Sequence, residues 1–401
     1  MTKTRNLTPR MSGDIGQGQI ITCAWGTVRH SLYRPTWVEI HRSAFQHNLC
    51  AIRSLLKKSI RLLAVVKANA YGHMAAPLAK IALTNGADAL GVSSIEEGVA
   101  LRDAGISGTI LILGSIYPLE NLRATAEYRL TPTVSSLNGL AGLAQIKSRR
   151  GRPLPFHLKV DSGMGRIGIS PATAPAMLEK ILARPEVAMA GIYTHLSVAD
   201  TDAGYTGAQL RQFAAVVAQA RRRGLKFLAH AANSAAVLKY PSSHFDMVRP
   251  GIALYGLAPF DGAEKKIHLD PVLQWKTRVV YLKRVPRGTC IGYCRSFTTK
   301  RASLIATLPV GYADGYSRAL SNRARVLIGG RRCPVAGRVS MDMITVDVTA
   351  VPGVAIGDEA VLIGVQGGER IRAEEMAAWA GTINYEITCG ISYRVPRILL
   401  P

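Results

Sequence analysis

The chain has 401 residues, 48% hydrophobic content and a formal net charge of +24 at pH 7. This length can build more than one hydrophobic core, which favours two domains over one. No apolar run approaches the roughly 20 residues needed to cross a bilayer, and the start MTKTRNLTPR lacks the apolar stretch of a secretory signal. We therefore expect a protein that neither spans a membrane nor is secreted.

The excess of Lys and Arg raises the possibility of a nucleic-acid partner, because such side chains release counterions from phosphate backbones. The basic clusters at 149–150, 221–223, 300–301 and 331–332 are spread along the chain without interleaved aromatic residues. This pattern is typical of solvated loops and helix ends, so no nucleic-acid surface is predicted. The charge is also suited to concentrating an anionic cofactor or substrate.

The cysteines are scattered and form no C-x-x-C pair, which argues against a zinc cluster and against a disulfide scaffold. They are Cys23, Cys50, Cys290, Cys294, Cys333 and Cys389. The composition predicts ordinary thiols in a reducing compartment, the cytoplasm, and no metal centre.

Residues 1–33 are polar and lack periodicity, which predicts a mobile N-terminal extension. From about residue 60, β-branched runs alternate with Ala- and Leu-rich helical stretches. Eight strands are predicted, at 62–67, 88–92, 109–113, 130–134, 156–160, 189–195, 226–231 and 246–255. Eight strands indicate a closed (β/α)₈ barrel over 34–265. The alternative, a doubly wound open sheet, usually has fewer strands.

After about residue 265 the helical alternation stops. Apolar β-rich runs separated by Gly and Pro then predict a mostly β C-terminal domain over 266–401. The segment TWVEI at 36–40 precedes the barrel and needs somewhere to bury Trp37 and Val38. We expect it to pair with this second domain.

The first predicted barrel strand runs into AVVKANAYGH, which places Lys67 where an apolar strand meets a loop of small residues. Barrel active sites lie at this carboxyl end of the strands. A partly desolvated lysine has a lowered pKa, and its amine is then available to form a Schiff base. The position alone is equally compatible with a lysine extending from the barrel rim into solvent.

The segment AVVKANAYGHM resembles the signature of the alanine racemases, with Met74 where that family has glycine, and the resemblance extends from about 36 to 397. It implies an isomerase dependent on pyridoxal 5'-phosphate. Lys67 would form the internal aldimine with that cofactor, and Tyr71 would bond its phosphate.

Further segments are similar to the family's site. In HLKVDSGMGRIG, Lys159 corresponds to a lysine that is carbamylated and orients an arginine, here Arg166, which faces the cofactor's phenolic oxygen and the substrate carboxylate. In THLSVADTD, His195 corresponds to a histidine that bonds both the cofactor-bound arginine and a catalytic tyrosine. Without the resemblance, such a loop and such a histidine are more often structural.

In HAANSAAVL and VRPGIALYG, the residues Ser234, Gly251 and Ile252 match positions that bind the phosphate, and Arg249 matches the residue facing the pyridine nitrogen. An arginine there keeps that nitrogen neutral and limits electron withdrawal. The fold-related decarboxylases of basic amino acids carry glutamate in the corresponding motif, which argues against that activity.

In the second domain, the resemblance assigns four residues. Tyr312 corresponds to a catalytic tyrosine donated across a homodimer interface, Met341 to a residue whose amide faces the substrate carboxylate, Asp342 to a supporting neighbour and Tyr393 to a second tyrosine on the phosphate. Without the resemblance, tyrosines in Gly-rich loops are more often packing residues. The homodimer would share its active sites between subunits.

Racemisation removes an α-proton from one face and returns one to the other, which favours two opposed bases. The resemblance implies that Lys67 serves D-alanine and Tyr312 serves L-alanine, supplying D-alanine for peptidoglycan. Two other hypotheses stay open. One is a racemase of serine, of a basic amino acid or of broad specificity; the other is a non-enzymatic pyridoxal-phosphate-binding protein, although single-domain proteins of that kind lack a counterpart of residues 266–401.

Overall fold

The computed structural model describes residues 21–23, 26–27, 33–146 and 153–401. They form two compact units, Arg42–Pro271 and a β unit that joins the described residues up to His41 with Val272–Pro401. Most of the extension predicted over 1–33 lies outside the described residues. The unit boundaries fall at 41/42 and 271/272, whereas the sequence pattern placed them at 33/34 and 265/266.

Three strands precede the barrel unit and belong to the β unit: β1 (Ile21–Cys23), β2 (Gly26–Thr27) and β3 (Thr36–His41). Strand β3 pairs antiparallel with residues 273–277 and parallel with residues 397–400. Trp37 and Val38 are both buried. The predicted pairing of this segment with the second domain is confirmed, and it explains why the boundary lies after His41.

The barrel unit contains eight parallel strands, and the prediction of a (β/α)₈ barrel is confirmed. They are β4 (Arg61–Val65), β5 (Ala89–Val92), β6 (Ile110–Ile112), β7 (Thr133–Val134), β8 (Leu154–Lys159), β9 (Val187–Tyr193), β10 (Leu228–His230) and β11 (Met247–Val248). Their order is β6-β5-β4-β11-β10-β9-β8-β7. A parallel bridge between Leu111 and Thr131 links the two ends of this order, so the barrel is nearly closed.

The first helix of this unit precedes β4, and the other helices each follow one of these strands. The helices are α1 (Arg42–Ser54), α2 (Ala75–Thr84), α3 (Ile95–Asp103), α4 (Leu122–Glu127), α5 (Leu137–Ala144), α6 (Ala174–Leu182), α7 (Ala203–Arg222) and α8 (Ser234–Lys239). Ser94, Ser136 and Asp202 cap α3, α5 and α7 by accepting a backbone N–H of the first turn. Within the described ranges, every helix is too short or too polar to cross a bilayer.

The eighth barrel strand is much shorter than the sequence predicts. Only Met247–Val248 is strand; the chain then turns through Arg249 to Gly251 into a 3₁₀ turn at Ile252–Tyr255. Pro250 has no N–H to donate to a strand ladder, which favours an early end. Arg249 consequently stands at the carboxyl end of the strand.

The β unit is mostly sheet, as predicted. Its further elements are β12 (Leu273–Arg278), β13 (Tyr281–Val285), β14 (Cys290–Ile291), β15 (Phe297–Thr298), β16 (Ser303–Leu308), β17 (Arg325–Ile328), β18 (Arg331–Pro334), β19 (Ile344–Asp347), β20 (Glu359–Gln366), β21 (Glu369–Ile371), α9 (Ala373–Ala380), α10 (Asn384–Gly390) and β22 (Arg397–Leu400). The large sheet has the order β18-β17-β20-β12-β3-β22-β1-β2, and β13, β16 and β19 form a second sheet.

Candidate active site

Lys67 lies two residues beyond the end of β4 and begins a left-handed turn. The next four residues, 68–71, have φ between +51° and +56° although none is glycine. A left-handed conformation costs roughly 1–2 kcal/mol per residue of this kind. Lys67 is half-buried at the strand end. The surrounding barrel unit must stabilise the left-handed backbone that follows it, because these residues would locally prefer other conformations.

Glu97 and Asn69 hold this turn in place. One carboxylate oxygen of Glu97 accepts the N–H of Ala68 at 2.6 Å, and the other accepts the N–H of Ser93 at 2.7 Å. The side chain of Asn69 accepts the N–H of Ala75 at 2.8 Å. Sequence analysis missed Glu97, which is 29 positions from Ala68 in the chain and carries no local signal of this contact.

Arg249 is buried at the end of β11 and is surrounded by hydrogen-bond acceptors. Its guanidinium donates to the backbone oxygen of Thr194 at 2.8 Å, to that of Ala231 at 3.1 Å and to Nδ1 of His230 at 2.9 Å. Nδ1 of His195 lies 3.5 Å from the same group. In the described parts of the chain, no carboxylate forms an ion pair with Arg249. Burial lowers its pKa to about 10, which still leaves a cation at neutral pH.

Behind Arg249, two histidines form a buried relay. Nε2 of His230 lies 2.8 Å from Nδ1 of His157. Because a guanidinium can only donate, Nδ1 of His230 must accept, so the proton of neutral His230 is on Nε2 and is donated to His157. Burial, and secondly the charge of Arg249, lowers the pKa of His157 to about 3. The relay therefore consists of neutral imidazoles at neutral pH.

Sequence analysis missed both histidines of this relay. His157 is two residues before Lys159 in β8, so the two side chains leave the strand on the same face. That spacing, next to a lysine already singled out, is the signal that could have identified His157. His230 ends β10, as Lys159 ends β8.

Lys159 is almost fully buried, and its Nζ lies 4.3 Å from the ring centre of Tyr193. Burial lowers its pKa well below the ordinary value, and the charges of Arg249 and Arg166 lower it further. Its amine is therefore difficult to protonate. The same causes, burial first and then these positive charges, lower the pKa of His195 well below its usual range.

Asp161 organises the loop that follows β8. Its carboxylate accepts four successive backbone N–H groups, those of residues 163–166, at 2.8–3.1 Å. Burial alone would raise its pKa, but these hydrogen bonds lower it overall. Arg166 stands at the end of this loop with an exposed side chain. Asp161 thus fixes the backbone from which Arg166 projects, a role that sequence analysis missed.

Ser234, Gly251, Ile252 and Tyr71 come together on a narrow cradle. The hydroxyl oxygen of Ser234 accepts the N–H of Gly251 at 2.9 Å and that of Ala253 at 3.3 Å, so its own proton remains available to an oxyanion. A Cβ at Gly251 would lie 2.4 Å from the hydroxyl of Tyr71. A larger residue at this position would therefore force the Tyr71 side chain to move. Ile252 begins the 3₁₀ turn that follows.

The remaining predicted site residues lie in the β unit. Two loops are joined by backbone hydrogen bonds, from Tyr312 to Ser340 and from Ala313 to Met341, each of 3.0 Å. Tyr312 follows β16, and Met341 precedes β19. Leu308 of β16 pairs with Ile344 of β19, and this pairing brings the two loops side by side. Tyr312, Met341 and Tyr393 expose 43%, 52% and 66% of their surface in this chain, so all three are accessible to a ligand or a partner.

The buried Asp314 stabilises the loop that carries Tyr312. It is fully buried, accepts the N–H of Gly311 at 2.9 Å and forms an ion pair with Arg34. Arg34 also donates to the backbone oxygen of Asp342 at 3.2 Å, and the carboxylate of Asp342 pairs with Arg394 at 2.7 Å. The predicted supporting residue Asp342 thus belongs to a network that links both loops, and Asp314 is a member that sequence analysis missed.

The free energy of unfolding should fall as the pH decreases below 6.5, because His157 has a pKa of about 3 when folded and an ordinary value of 6.5 when unfolded. Between these values the unfolded chain binds a proton that the folded chain excludes, so acid favours unfolding. The slope is about 1.4 kcal/mol per pH unit for one fully titrating group.

Urea unfolding of the wild type and His157→Gln at two pH values in this window measures the effect. We expect the variant to show a smaller loss of stability on acidification, because one excluded proton is removed. An unchanged pH dependence in a folded variant would contradict the neutral state of His157.

These features define a (β/α)₈-barrel enzyme whose strand ends carry a lysine, a buried arginine and a glycine cradle suited to an anionic ligand. Residues 40–259 match the model of the alanine racemase N-terminal domain, and residues 272–399 match that of the C-terminal domain. The chain belongs to the alanine racemase family, which uses pyridoxal 5'-phosphate, and the resemblance found in its sequence is confirmed.

Individual relatives cover nearly the whole chain. An alanine racemase of Symbiobacterium thermophilum is 48% identical over 370 residues, which are 91% of this chain and 97% of the relative. One of Halothermothrix orenii is 45% identical over 366 residues, or 91% of this chain and 96% of the relative. The crystal structure of alanine racemase from Bacillus anthracis with bound L-Ala-P has a TM-score of 0.86 and 37% identity, and the match covers 92% of this chain and 96% of that one.

Proposed function

We propose that this protein interconverts L-alanine and D-alanine with pyridoxal 5'-phosphate and thereby supplies D-alanine for peptidoglycan. The observation that carries the proposal is Arg249, a buried cation at a barrel strand end with no carboxylate ion partner in the described residues. A buried positive charge beside the nitrogen of a ligand ring would keep that nitrogen unprotonated.

The donor set fits the cofactor. Lys67 would hold it through the amine; Tyr71, Ser234, Gly251, Ile252 and Tyr393 would bind its phosphate. The cradle supports this assignment, because the space that a Cβ would fill at Gly251 is bounded by the hydroxyl of Tyr71. When bound, pyridoxal 5'-phosphate supplies a carbonyl that takes up the substrate's amino group and a conjugated ring that stabilises negative charge on the α-carbon.

Arg249 and its neighbours would set the protonation of the site. Its guanidinium is held by backbone oxygens and by the neutral His230, so its donor atoms have a fixed direction. With the cofactor bound, this cation would face the ring nitrogen and, because it cannot accept a proton, would disfavour protonation there. His195, which contacts Arg249 and has a lowered pKa, would link it to Tyr312.

The substrate carboxylate would be bound by Arg166 and by the backbone amide of Met341. We infer that Lys159 is carbamylated by carbon dioxide, because its buried amine resists protonation and the carbamate would carry a negative charge close enough to interact with Arg166 and Arg249. Such a charge would direct the guanidinium of Arg166 towards the site. Asp342 would support Met341 from the adjacent position.

Lys67 and Tyr312 would act as the two bases. One removes the α-proton from D-alanine and the other from L-alanine, and each returns a proton when the reaction runs the other way. We propose that Tyr312 is donated by the second subunit of a homodimer. Its exposure in this chain and its fixed loop agree with a residue that acts on a neighbour's substrate.

The cellular compartment is part of the same proposal. Five of the cysteines, Cys50, Cys290, Cys294, Cys333 and Cys389, are free thiols. Free thiols of this number suit a reducing compartment, and we place the enzyme in the cytoplasm.

A chiral assay tests the proposed reaction. The purified full chain, loaded with pyridoxal 5'-phosphate, is incubated with L-alanine and separately with D-alanine, and both enantiomers are separated by chromatography. Both reactions should end at equal amounts of the two forms, and serine, lysine and arginine should react more slowly. Faster conversion of another amino acid would reject alanine as the preferred substrate, and no conversion of any would reject the proposed activity.

A further inference from the structure

Two histidines and an aspartate meet on the barrel unit outside the candidate active site. His47 lies in α1, and His268 and Asp270 lie in the segment after Tyr255, near the end of the unit. Nε2 of His268 is 3.1 Å from Oδ1 of Asp270, and Nε2 of His47 is 3.9 Å from Oδ2 of the same carboxylate. One nitrogen or oxygen of each side chain lies within 4.8 Å of the other two.

This donor set has the chemistry of a transition-metal site. Imidazole nitrogens and one carboxylate oxygen are typical zinc ligands, at about 2.0–2.2 Å from the metal. Ligands of one tetrahedral ion are then about 3.4 Å apart, so small side-chain rotations bring all three donors within reach. Calcium and magnesium prefer sites made only of oxygen, which excludes them as good occupants.

The backbone behind these side chains is fixed in advance. Asn48, next to His47 and fully buried, donates to the backbone oxygen of Asp270 at 2.8 Å and accepts its N–H at 2.7 Å. A Cβ at Gly256 would lie 1.8 Å from the same backbone oxygen, so the segment also packs tightly on its other side. Little order remains to be imposed on the backbone when a ligand binds, and this favours affinity.

Although the cysteine pattern of the sequence predicts no metal centre, we propose that His47, His268 and Asp270 form a zinc site, with water completing the coordination. The ion would tie the first helix of the barrel unit to its last segment; the neighbouring pair Asn48 and Asp270 is separated by 222 positions in the chain. A link that closes so long a loop stabilises the folded unit. The site is structural, and its occupancy is separate from the proposed racemase chemistry.

Binding of Zn²⁺ to the full-length protein loaded with pyridoxal 5'-phosphate is measured by competition with a chromophoric chelator. The wild type should bind one ion at this site. His47→Gln, His268→Gln and Asp270→Asn should each weaken that binding by about tenfold or more, because each removes a ligand. Lys266→Gln changes an exposed side chain of the same segment and is the matched control; it should bind Zn²⁺ like the wild type.

Thermal unfolding gives a second readout, because an ion that binds only the folded state raises the unfolding temperature. Zn²⁺ should raise it for the wild type and Lys266→Gln and have little effect on the three ligand variants. Mg²⁺ should have no such effect on any of them. Racemase activity without zinc checks that each variant is folded.

The proposal would be overturned if the wild type fails to bind Zn²⁺, or if folded ligand variants bind it as tightly and gain as much thermal stability as the wild type. The exposed side chain of His268 makes its substitution safe for folding, so this variant decides the outcome if another is unstable.

Discussion

Lys67→Ala is expected to abolish racemisation in both directions, because one substitution removes both the amine that would hold the cofactor and one of the two bases. The loss should be at least the roughly 10²–10⁴-fold of a missing general base. Borohydride treatment should fix the cofactor covalently to the wild type and leave the variant unlabelled. Lys57→Ala, at an exposed lysine in the same unit, is the matched control and should retain both label and activity.

The left-handed turn sharpens this prediction. Alanine takes the place of Lys67 without adding bulk, and the contacts of Glu97 and Asn69 that hold the turn involve other residues. The variant should therefore fold, and its far-ultraviolet circular dichroism should match that of the wild type. A folded variant that carries the borohydride-fixed cofactor at wild-type levels would reject the assignment of Lys67.

Tyr312→Phe is expected to leave the cofactor bound and to suppress proton transfer on one face alone. In deuterated solvent the variant should still exchange the α-proton of D-alanine through Lys67, while exchange of L-alanine falls by roughly 10²–10⁴-fold. Racemisation requires proton transfer on both faces of the α-carbon. Its rate should therefore fall to that of the slower face. Tyr281→Phe, an exposed tyrosine of the same unit, should behave like the wild type.

Mixing the two inactive variants tests whether a site is shared between subunits. If Tyr312 is donated by the second subunit, a heterodimer of Lys67→Ala and Tyr312→Phe contains one site with both residues intact. Activity should return once subunit exchange is verified by mass. Equal loss of exchange for both enantiomers in Tyr312→Phe would reject the two-base assignment, and verified heterodimers without activity would reject the shared site.

The sequence predicted the barrel because its signal is local. Each strand is a short apolar run beside a helix, and eight such units define the fold. The end of the last strand was harder to predict, because DMVRPGIALY is mostly apolar while only Met247–Val248 forms a ladder. Strand pairing, which is not visible in composition, decides where such a run stops.

Site residues that belong to a sequence motif were predicted. Site residues that act through contacts with distant parts of the chain were missed. Lys67 follows from its position at a strand end and from the resemblance. Glu97 and Asp314 act on backbone groups or on an arginine far away in the chain, as the 280 positions between Arg34 and Asp314 show. A charged residue that acts through such a contact looks in sequence like any solvated carboxylate.

The turn at residues 68–71 also limits what protein engineering can do with this motif. A peptide that carries AVVKANAYGH has no local reason to place four consecutive side-chain-bearing residues in the left-handed region. The conformation comes from Glu97, from the segment around Ala75 and from the neighbouring strand. Grafted onto the strand of another barrel, the ten residues would relax and display their lysine elsewhere, so a transplant has to include the scaffold that holds the turn.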